Sequence, residues 1–423
     1  KVSSGKDGFC VVNSWRIKKI SELADIKSGG TPPTTVSEYW DGDIVWVVPT
    51  DITNKKSKYI TKSQRTITKL GLENSAAELL TKGTILLCSR ATIGELAIAA
   101  QPMSTNQGFK NLVCHTDTDN EFLYYALQPL KTKMIEQASG STFLEISKTA
   151  LGDIQVLTPP LPEQRAIAAA LSDVDEYISA LEKLIDKKRV IKQGAMQELL
   201  TGKRRLPGFE GEWAKKRVGE IGYPYSGLTG KRKEHFGKGS AKYITFLNVL
   251  TNTIIDIKKL DFVDVSEEEK QNPVKYGDLF FNASSETPQE VGMCAVLLEP
   301  LNDTYLNSFC FGFRLTDTEV DGLYLSYFFN SNEGRKIMVL LAQGATRYNL
   351  SKTNFLETVI ALPNKDEQKA IAQILFDMDA EIDALIAKLE KAKQIKQGMM
   401  SELLTGRIRL IEEVVDNAED KRS

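Results

Sequence analysis

Histidine is nearly absent from this chain: its 423 residues include only His115 and His235. A histidine general base, or a pair of histidine metal ligands in a recognisable motif, has little to be built from. The five cysteines, Cys10, Cys88, Cys114, Cys294 and Cys310, are odd in number, scattered and without a CxxC pair. Neither a disulfide framework nor a zinc site is indicated, and buried thiols are expected. No apolar run approaches the roughly eighteen residues of a membrane span, and the polar start KVSSGKDG lacks the apolar core of a secretory signal. The expectation is a cytoplasmic protein with no membrane partner.

Signatures of cofactor chemistry are missing as well. LTGKRR around Lys203 and LTGKRK around Lys231 lack the upstream glycine and the Ser/Thr of a GxxxxGK[ST] loop, and no GxGxxG follows a strand. TPPT (31–34) and TPPL (158–161) lack the Asn and the aromatic of the Asn-Pro-Pro-aromatic tetrad with which amino-methyltransferases hold a target base. No catalytic residue and no metal ligand is therefore assigned, which leaves only scattered Asp and Glu for a site without a motif.

What is present is an ordinary globular composition, 42% hydrophobic and 26% charged, in a chain long enough for two or three domains. The formal net charge of −2 conceals clustering. Lys187, Lys188, Arg189 and Lys192 are followed by Lys203, Arg204 and Arg205, then Lys215, Lys216 and Arg217, then Lys231, Arg232 and Lys233; acids gather in SEEEK near Glu267 and in the tail EEVVDNAED. Each cluster alone is compatible with a solvated face.

The chain is also an internal duplication. IKQGAMQELLTGKRRL (191–206) returns as IKQGMMSELLTGRIRL (395–410), 204 positions later and with twelve of sixteen residues identical. At the same offset, LPEQRAIAAALSDVDEYISALEKLIDKKRVIKQG (161–194) aligns with KDEQKAIAQILFDMDAEIDALIAKLEKAKQIKQG (365–398), and GSTFLEISKTAL (140–151) with GATRYNLSKTNF (344–355). A fainter echo opens each half, WRIKKISELADIKSGGT from Trp15 and WAKKRVGEIGYPYSGLT from Trp213. Between these echoes, over roughly 30–137 and 228–341, the halves share almost nothing. The order is variable, constant, variable, constant.

The constant segments read as helices. Ile167, Leu171, Val174, Ile178, Leu181 and Ile185 step by four and three, and Ile371, Leu375, Met378, Ile382, Leu385 and Leu389 repeat the steps, the seam of a coiled coil whose nearest candidate partner is the other copy. Pro162 suits a first turn, and Gly202 and Gly406 suit helix ends. Ser172-Asp173 could cap a second helix after a break, so residues 162–201 span about 60 Å if continuous, or about 42 Å from the break onward. Gly194 and Gly398 lie inside the helices, where each costs about 1 kcal/mol relative to Ala. Close approach of another helix is the first explanation, contact with a partner subunit the second.

The variable segments read as mixed α/β. DIVWVVP (43–49), TILLCS (84–89), KNLVCH (110–115), KYITFLNV (242–249), DLFFNAS (278–284) and FCFGFRL (309–315) have strand character. EFLYYALQP and GLYLSYFFN read as helices, as do the stretches beginning at Ser147 and Ser351. Those serines suit N-caps, and Lys148 and Lys352 behind them could lean toward a phosphate, with a simple cap as the alternative.

The two copies of the PPLPEQRAIAAALSDVDEYISAL...QELLTGKRRL region, GSTFLEISKTALGDI and W...LADIKSGGTP together closely resemble the specificity (S) subunit of Type I restriction-modification systems, over about Trp15 to Leu410. The second copy departs at LPNKDEQ, where Asn364-Lys365-Asp366 replaces Pro160-Leu161-Pro162. The resemblance implies an α/β (α+β) fold in which two globular target-recognition domains are separated by two long conserved helices packed as an antiparallel coiled coil, with pseudo-twofold symmetry. The boundaries would be a polar segment 1–14, a first recognition domain 15–158, a central helical spacer 159–206, a second recognition domain 207–361, a distal spacer 362–410 and an acidic, polar tail 411–423.

By the same resemblance, each domain would read one half of a split, asymmetric site in double-stranded DNA. The helices would set the spacer and dock two modification (M) subunits, which carry S-adenosylmethionine and methylate adenine N6. Two restriction (R) subunits with ATP and Mg would join in complexes that also cleave. This chain would bind no cofactor itself. Near neutrality fits, since partners can supply further phosphate contacts.

Base edges are read by Arg, Lys, Asn, Gln, Ser and Thr. Candidates in the first domain are Lys27, Thr31, Thr50, Ser89, Arg90, Thr92, Asn106, Gln107 and Lys148. In the second they are Lys231, Arg232, Asn248, Asn282, Ser284, Asn307, Arg347, Asn349 and Lys352. Trp46 is expected to pack in a core or rim, and Tyr348 against backbone or base. The seam residues named above, with Gly194 and Gly398, are the candidates for the helix-pair and subunit interface. Two other classes stay open on the residues alone: a coiled-coil scaffold that binds proteins, and an enzyme with an unrecognised site.

Overall fold

The computed structural model of the chain describes residues 3–4, 10–11, 14–53, 57–140 and 144–411. The acidic tail falls outside the described residues from 412 onward, as does most of the polar segment 1–14. Two compact units divide the chain, unit 1 formed by residues 1–183 and 387–423, unit 2 by residues 184–386. The division cuts both conserved helices, so each unit holds the first half of one and the second half of the other.

Each conserved segment is one uninterrupted helix, Leu161–Leu199 and Lys365–Leu403. The break at Ser172-Asp173 is not realised. The Ser172 hydroxyl lies 2.6 Å from the Ala168 carbonyl oxygen, so it bonds back to the preceding turn and caps nothing. At the start of the first helix the Pro160 carbonyl accepts from the Glu163 and Gln164 N–H groups, both at 3.0 Å. The divergent second start is no weaker, because the Asn364 side chain accepts from the Glu367 N–H at 2.9 Å. Gly202 (φ 69°) and Gly406 (φ 72°) close the helices in the left-handed conformation that favours glycine.

Within unit 1, Asp175 pairs with Lys396 at 2.7 Å and Glu182 with Lys393 at 3.9 Å, so the two helix halves run antiparallel. Within unit 2, Lys188 pairs with Glu381 at 2.6 Å and Lys192 with Asp379, again antiparallel. Leu181 and Leu389 are buried in unit 1, and Ile185, Ile382 and Leu385 in unit 2. Nearer the globular parts the seam joins the cores, Ile167 and Leu171 in unit 1 and Ile371 and Leu375 in unit 2. Val174 and Ile178 are half-buried, as is Met378, which packs on the unit 2 core. Gly194 and Gly398 correct the expectation of close helix approach: both are exposed, and a Cβ added at either would meet nothing within 4 Å.

The variable halves share a topology that their sequences do not display. In unit 1, Ala24–Ser28, Phe109–Cys114, Ile85–Cys88 and Leu96–Ala99 form antiparallel neighbours in that order, with Tyr59–Ile60 added in parallel at the edge. In unit 2, Gly222–Ser226, Cys310–Leu315, Leu279–Asn282 and Cys294–Val296 repeat the order. A second sheet also recurs: Trp40–Val47 between Ser104–Thr105 and Thr66–Ile67, and Phe236–Ile244 between Thr304–Leu306 and Leu260–Val263. Each unit is tied at its ends by a strand pair, Arg16–Lys19 with Gln155–Thr158 and Ala214–Arg217 with Val359–Leu362. The strand read over 242–249 is divided, because Thr245 accepts from the Asn248 N–H and starts a helix, Phe246–Thr251.

The helices Asn120–Leu127 and Gly322–Asn330 are capped by Asp119 and Asp321 and bury their apolar residues against the sheets. Tyrosines at equivalent places in the two units meet the long helices: the Tyr125 hydroxyl donates to Asp175 at 2.7 Å and the Tyr327 hydroxyl to Asp379 at 2.8 Å. Burial, then the neighbouring carboxylate, pushes the Tyr327 phenol well above its usual range. Among the described residues, Cys88, Cys294 and Cys310 are buried thiols and Cys114 is half-buried, its pKa pushed by burial up to about 12. Trp46 is core, edge-on to Trp40 at 5.0 Å. Among the described residues no helix is long and apolar enough to cross a membrane.

Candidate nucleic-acid interface

Four chain segments converge in the same way in each unit. The first is the opening echo, SGGT (28–31) or SGLT (226–229), and the second is the turn before a central strand, Asn106–Gly108 or Asn307–Phe309. Gly30 N–H donates to the Thr105 carbonyl at 2.9 Å, and Leu228 N–H to the Leu306 carbonyl at 2.8 Å. The approach is so close that a Cβ on Gly29 would lie 1.9 Å from the Asn106 carbonyl oxygen, and one on Gly227 2.2 Å from that of Asn307. Only glycine fits there, which explains why this part of the echo is present in both halves.

The turn itself is an Asx turn in both units. Asn106 Oδ1 accepts from Gly108 N–H and Asn307 Oδ1 from Phe309 N–H, both at 2.9 Å. The third segment, following the adjacent strand, is Ser89–Thr92 or Ala283–Ser285, and the fourth is Glu145–Lys148 or Asn349–Lys352. Ser89 N–H donates to the Gly108 carbonyl at 2.8 Å, and its own carbonyl accepts from Ile146 N–H at 2.9 Å. Ala283 repeats both bonds with Phe309 and Leu350, each at 2.9 Å. Arg90 faces Glu145 and Ser284 faces Asn349 in the same antiparallel pairing.

Most sequence candidates meet on these segments, but they do different things. In unit 1, Gln107 is exposed and lies against the half-buried Thr31 hydroxyl. Arg90 and Asn106 are half-buried, Lys148 is exposed, and exposed Thr50 follows Pro49, whose ring would stand 3.4 Å from a Cβ on Gly108. Lys27 is exposed and pairs with Glu78 at 3.3 Å, while half-buried Thr92 bonds its N–H to the Arg90 carbonyl. In unit 2, Arg347, Asn349 and Lys352 are exposed and Asn307 is half-buried.

Other candidates are used up by the fold and are corrected here as base readers. Ser89 is fully buried, its hydroxyl donating to Glu145 Oε1 at 3.2 Å. Asn282 is fully buried between the Glu290 carbonyl and the Met293 N–H, and Ser284 is buried in its strand. Asn248 is 2% exposed and braces the loop after its helix through the Asp256 backbone on both sides. Lys231 points into Glu269 and the Asp264 carbonyl with a side chain 4% exposed, and Glu269 is held down at a pKa of about 2 by that ammonium. Arg232 keeps an exposed side chain; it lies three residues beyond the SGLT segment, just before the 3-10 turn Lys233–His235, with its N–H bonded to His235 Nδ1 at 2.9 Å. Ser147 and Ser351 are N-caps that accept from Ala150 and Asn354 N–H groups.

Sequence reading missed Glu145, Lys110 and Phe309. Lys110 Nζ is 2.9 Å from Glu145; burial pushes the Glu145 carboxyl up, but this hydrogen bond and charge outweigh it and hold it below its usual range. The missed signal is an Asn three residues before the apolar strand in each half. The assembled surfaces offer amide, hydroxyl, guanidinium and ammonium groups on rigid backbone, and among the described residues no cluster of His, Cys, Asp and Glu could hold a metal. Such a surface can donate to and accept from base edges and attract phosphates.

Comparison with known proteins agrees. A family model described as the Type I restriction modification DNA specificity domain matches residues 13–193 and again residues 210–397. The specificity subunit of the type I restriction enzyme MjaIX of Methanocaldococcus jannaschii is 29% identical over 66% of this chain and 68% of its own length. The MjaVIII specificity subunit of the same organism is 24% identical over 95% of both. In fold, the chain is similar to the S subunit of a Type I restriction-modification system from M. genitalium, with a TM-score of 0.57 and 18% identity over 93% of this chain and 97% of that one. With two copies of the family domain covering nearly its whole length, the chain belongs to the DNA specificity subunits of Type I restriction-modification systems.

Proposed function

We propose that each unit reads one half of a split, asymmetric site in double-stranded DNA, and that the chain does so as a non-catalytic subunit in the cytoplasm. One observation carries this reading: the same four backbone segments converge in both units, yet at matching places they carry Gln107, Gly108 and Glu145 in one and Ser308, Phe309 and Asn349 in the other. Like backbones dock alike on a duplex, and unlike side chains select unlike bases.

Two modification subunits would dock on the repeated helices, bringing S-adenosylmethionine, and restriction subunits would bring ATP and Mg. Supporting this, Ile191 and Ile395 occupy equivalent places and are 46% and 48% exposed, each three residues before an exposed glycine. Repeated apolar surface that neither unit covers suits two copies of one partner.

The test is adenine methylation across the genome of a methylation-free host carrying this chain with its neighbouring modification subunit, against hosts carrying either alone. A split asymmetric motif appears only in the first host; a stable complex that methylates no motif would overturn the reading. The spacer makes a second prediction. Inserting one helical turn between residues 174 and 200 adds about 5.4 Å and lengthens the unread spacer by about one or two base pairs. A variant that methylates with the original spacing would remove the ruler role.

A further inference from the structure

Phe309 is an anomaly on a polar reading surface: the residue is 55% exposed although its backbone is fixed. Its N–H is held by Asn307 Oδ1 and its carbonyl by the Ala283 N–H, both at 2.9 Å. The exposed ring is therefore presented by rigid backbone. The Arg347 guanidinium lies over it, 5.6 Å from the ring centroid, two residues before the segment that carries Asn349 and Lys352.

Among the described residues, unit 1 has no ring at the place of Phe309. The matching residue is Gly108, where a Cβ would stand 3.0 Å from Asn106 Oδ1 and 3.2 Å from Arg90 Nε. The space that unit 2 gives to a ring is occupied in unit 1 by Asn106, Arg90 and the Pro49 ring. The two surfaces thus differ in kind at one defined point.

We infer that Phe309 and Arg347 form a specificity pair, reading a thymine beside a guanine in the half-site of unit 2; this rests on the function proposed above. The Phe309 ring packs against the thymine 5-methyl group, and the guanidinium donates to guanine O6 and N7 in the major groove. A ring wedged between base pairs would need both faces free, and Arg347 covers one. A groove methyl needs only the remaining face or edge. The cation–π contact with the ring also narrows the positions open to the guanidinium before binding, so less freedom is lost when it pairs.

The experiment uses the complex of the full chain with its modification subunits and duplexes carrying the site mapped by methylation. The half-site of unit 2 is the one that changes when residues 207–361 are replaced by those of a relative. Within it, thymine is replaced by uracil and guanine by 7-deazaguanine, one position at a time. The expected result is about fourfold weaker binding at one uracil, the loss of one buried methyl, and at least about fivefold at the neighbouring 7-deazaguanine. Phe309→Ala binds the thymine and uracil duplexes equally, and Arg347→Ala no longer senses the 7-deazaguanine. A half-site with no thymine beside a guanine overturns the pair, as does a wild-type complex indifferent to every uracil. Selective binding that tolerates all these changes defeats this inference and leaves the proposed function standing, whereas absence of selective binding defeats both.

Discussion

Replacing Arg409 with alanine destabilises unit 1 by about 3–5 kcal/mol, the cost of leaving a buried charge without its partner. Glu163, with a side chain only 2% exposed, accepts from Arg409 Nε at 2.5 Å and Nη2 at 2.8 Å, and from Trp15 Nε1 at 2.9 Å. Alanine leaves the carboxylate with the indole alone. The control is Arg409→Ala combined with Glu163→Gln, whose neutral amide still accepts from Trp15. The double variant is expected to recover part of the loss, because the penalty arises from the stranded charge. Hydrogen exchange in peptides from residues 15–183 reads the effect without assuming that the whole chain unfolds in one step. A double variant no more stable than the single one would show that the loss comes from packing. Arg205 in unit 2 holds the fully buried Glu367 in the same bidentate way, at 2.7 Å through both nitrogens, and Arg205→Ala shifts in the same direction.

Phe355→Ala is expected to cost unit 2 about 3–5 kcal/mol, the usual range for emptying a fully buried aromatic site. Phe355 is 0% exposed, and its ring lies 5.0 Å from that of Phe281, 5.7 Å from those of Phe313 and Phe329, and 5.8 Å from that of Phe311. At the equivalent repeat position unit 1 uses Leu151, also fully buried, in a core built mostly from aliphatic side chains. Phe355→Leu therefore gives an intermediate loss, since a leucine fills part of the volume but not a space shaped by four rings. Hydrogen exchange of peptides from residues 214–362 measures both. Phe309→Ala, by contrast, removes an exposed ring and leaves that exchange close to wild type. Equal losses at Phe309 and Phe355 would mean that the exposed ring supports the fold, and would weaken its assignment to base reading.

The repeat was legible because helices under a common constraint keep a common pattern. The seam from Ile167 to Ile185 and its copy from Ile371 to Leu389 announced two long helices, and Gly202 and Gly406 announced their ends. The strands TILLCS, KNLVCH and FCFGFRL were legible from short apolar runs. The identity of fold between the variable halves was not. A buried strand needs apolar side chains of workable volume, so Ile85–Cys88 and Leu279–Asn282 can hold the same place with few residues in common.

The candidate surface was legible only in part, because residue type does not reveal side-chain engagement. Asn282 and Asn307 look alike in sequence, yet one is sealed between a carbonyl and an N–H of its own loop while the other fixes an Asx turn beside the exposed Phe309. Lys231 and Lys352 are both lysines after a Gly or Ser, but Glu269, 38 residues away, captures the first. The exposed ring of Phe309 was overlooked because an apolar residue next to a strand is normally core. Local sequence by itself determined the duplication, the two helices and the glycines that close them, since these depend on neighbours a few residues apart or on a pattern that repeats. The tertiary structure alone decided which polar groups stay exposed and unengaged by the fold and that Gly194 and Gly398 face open space, because burial and pairing are set by segments brought together from far along the chain.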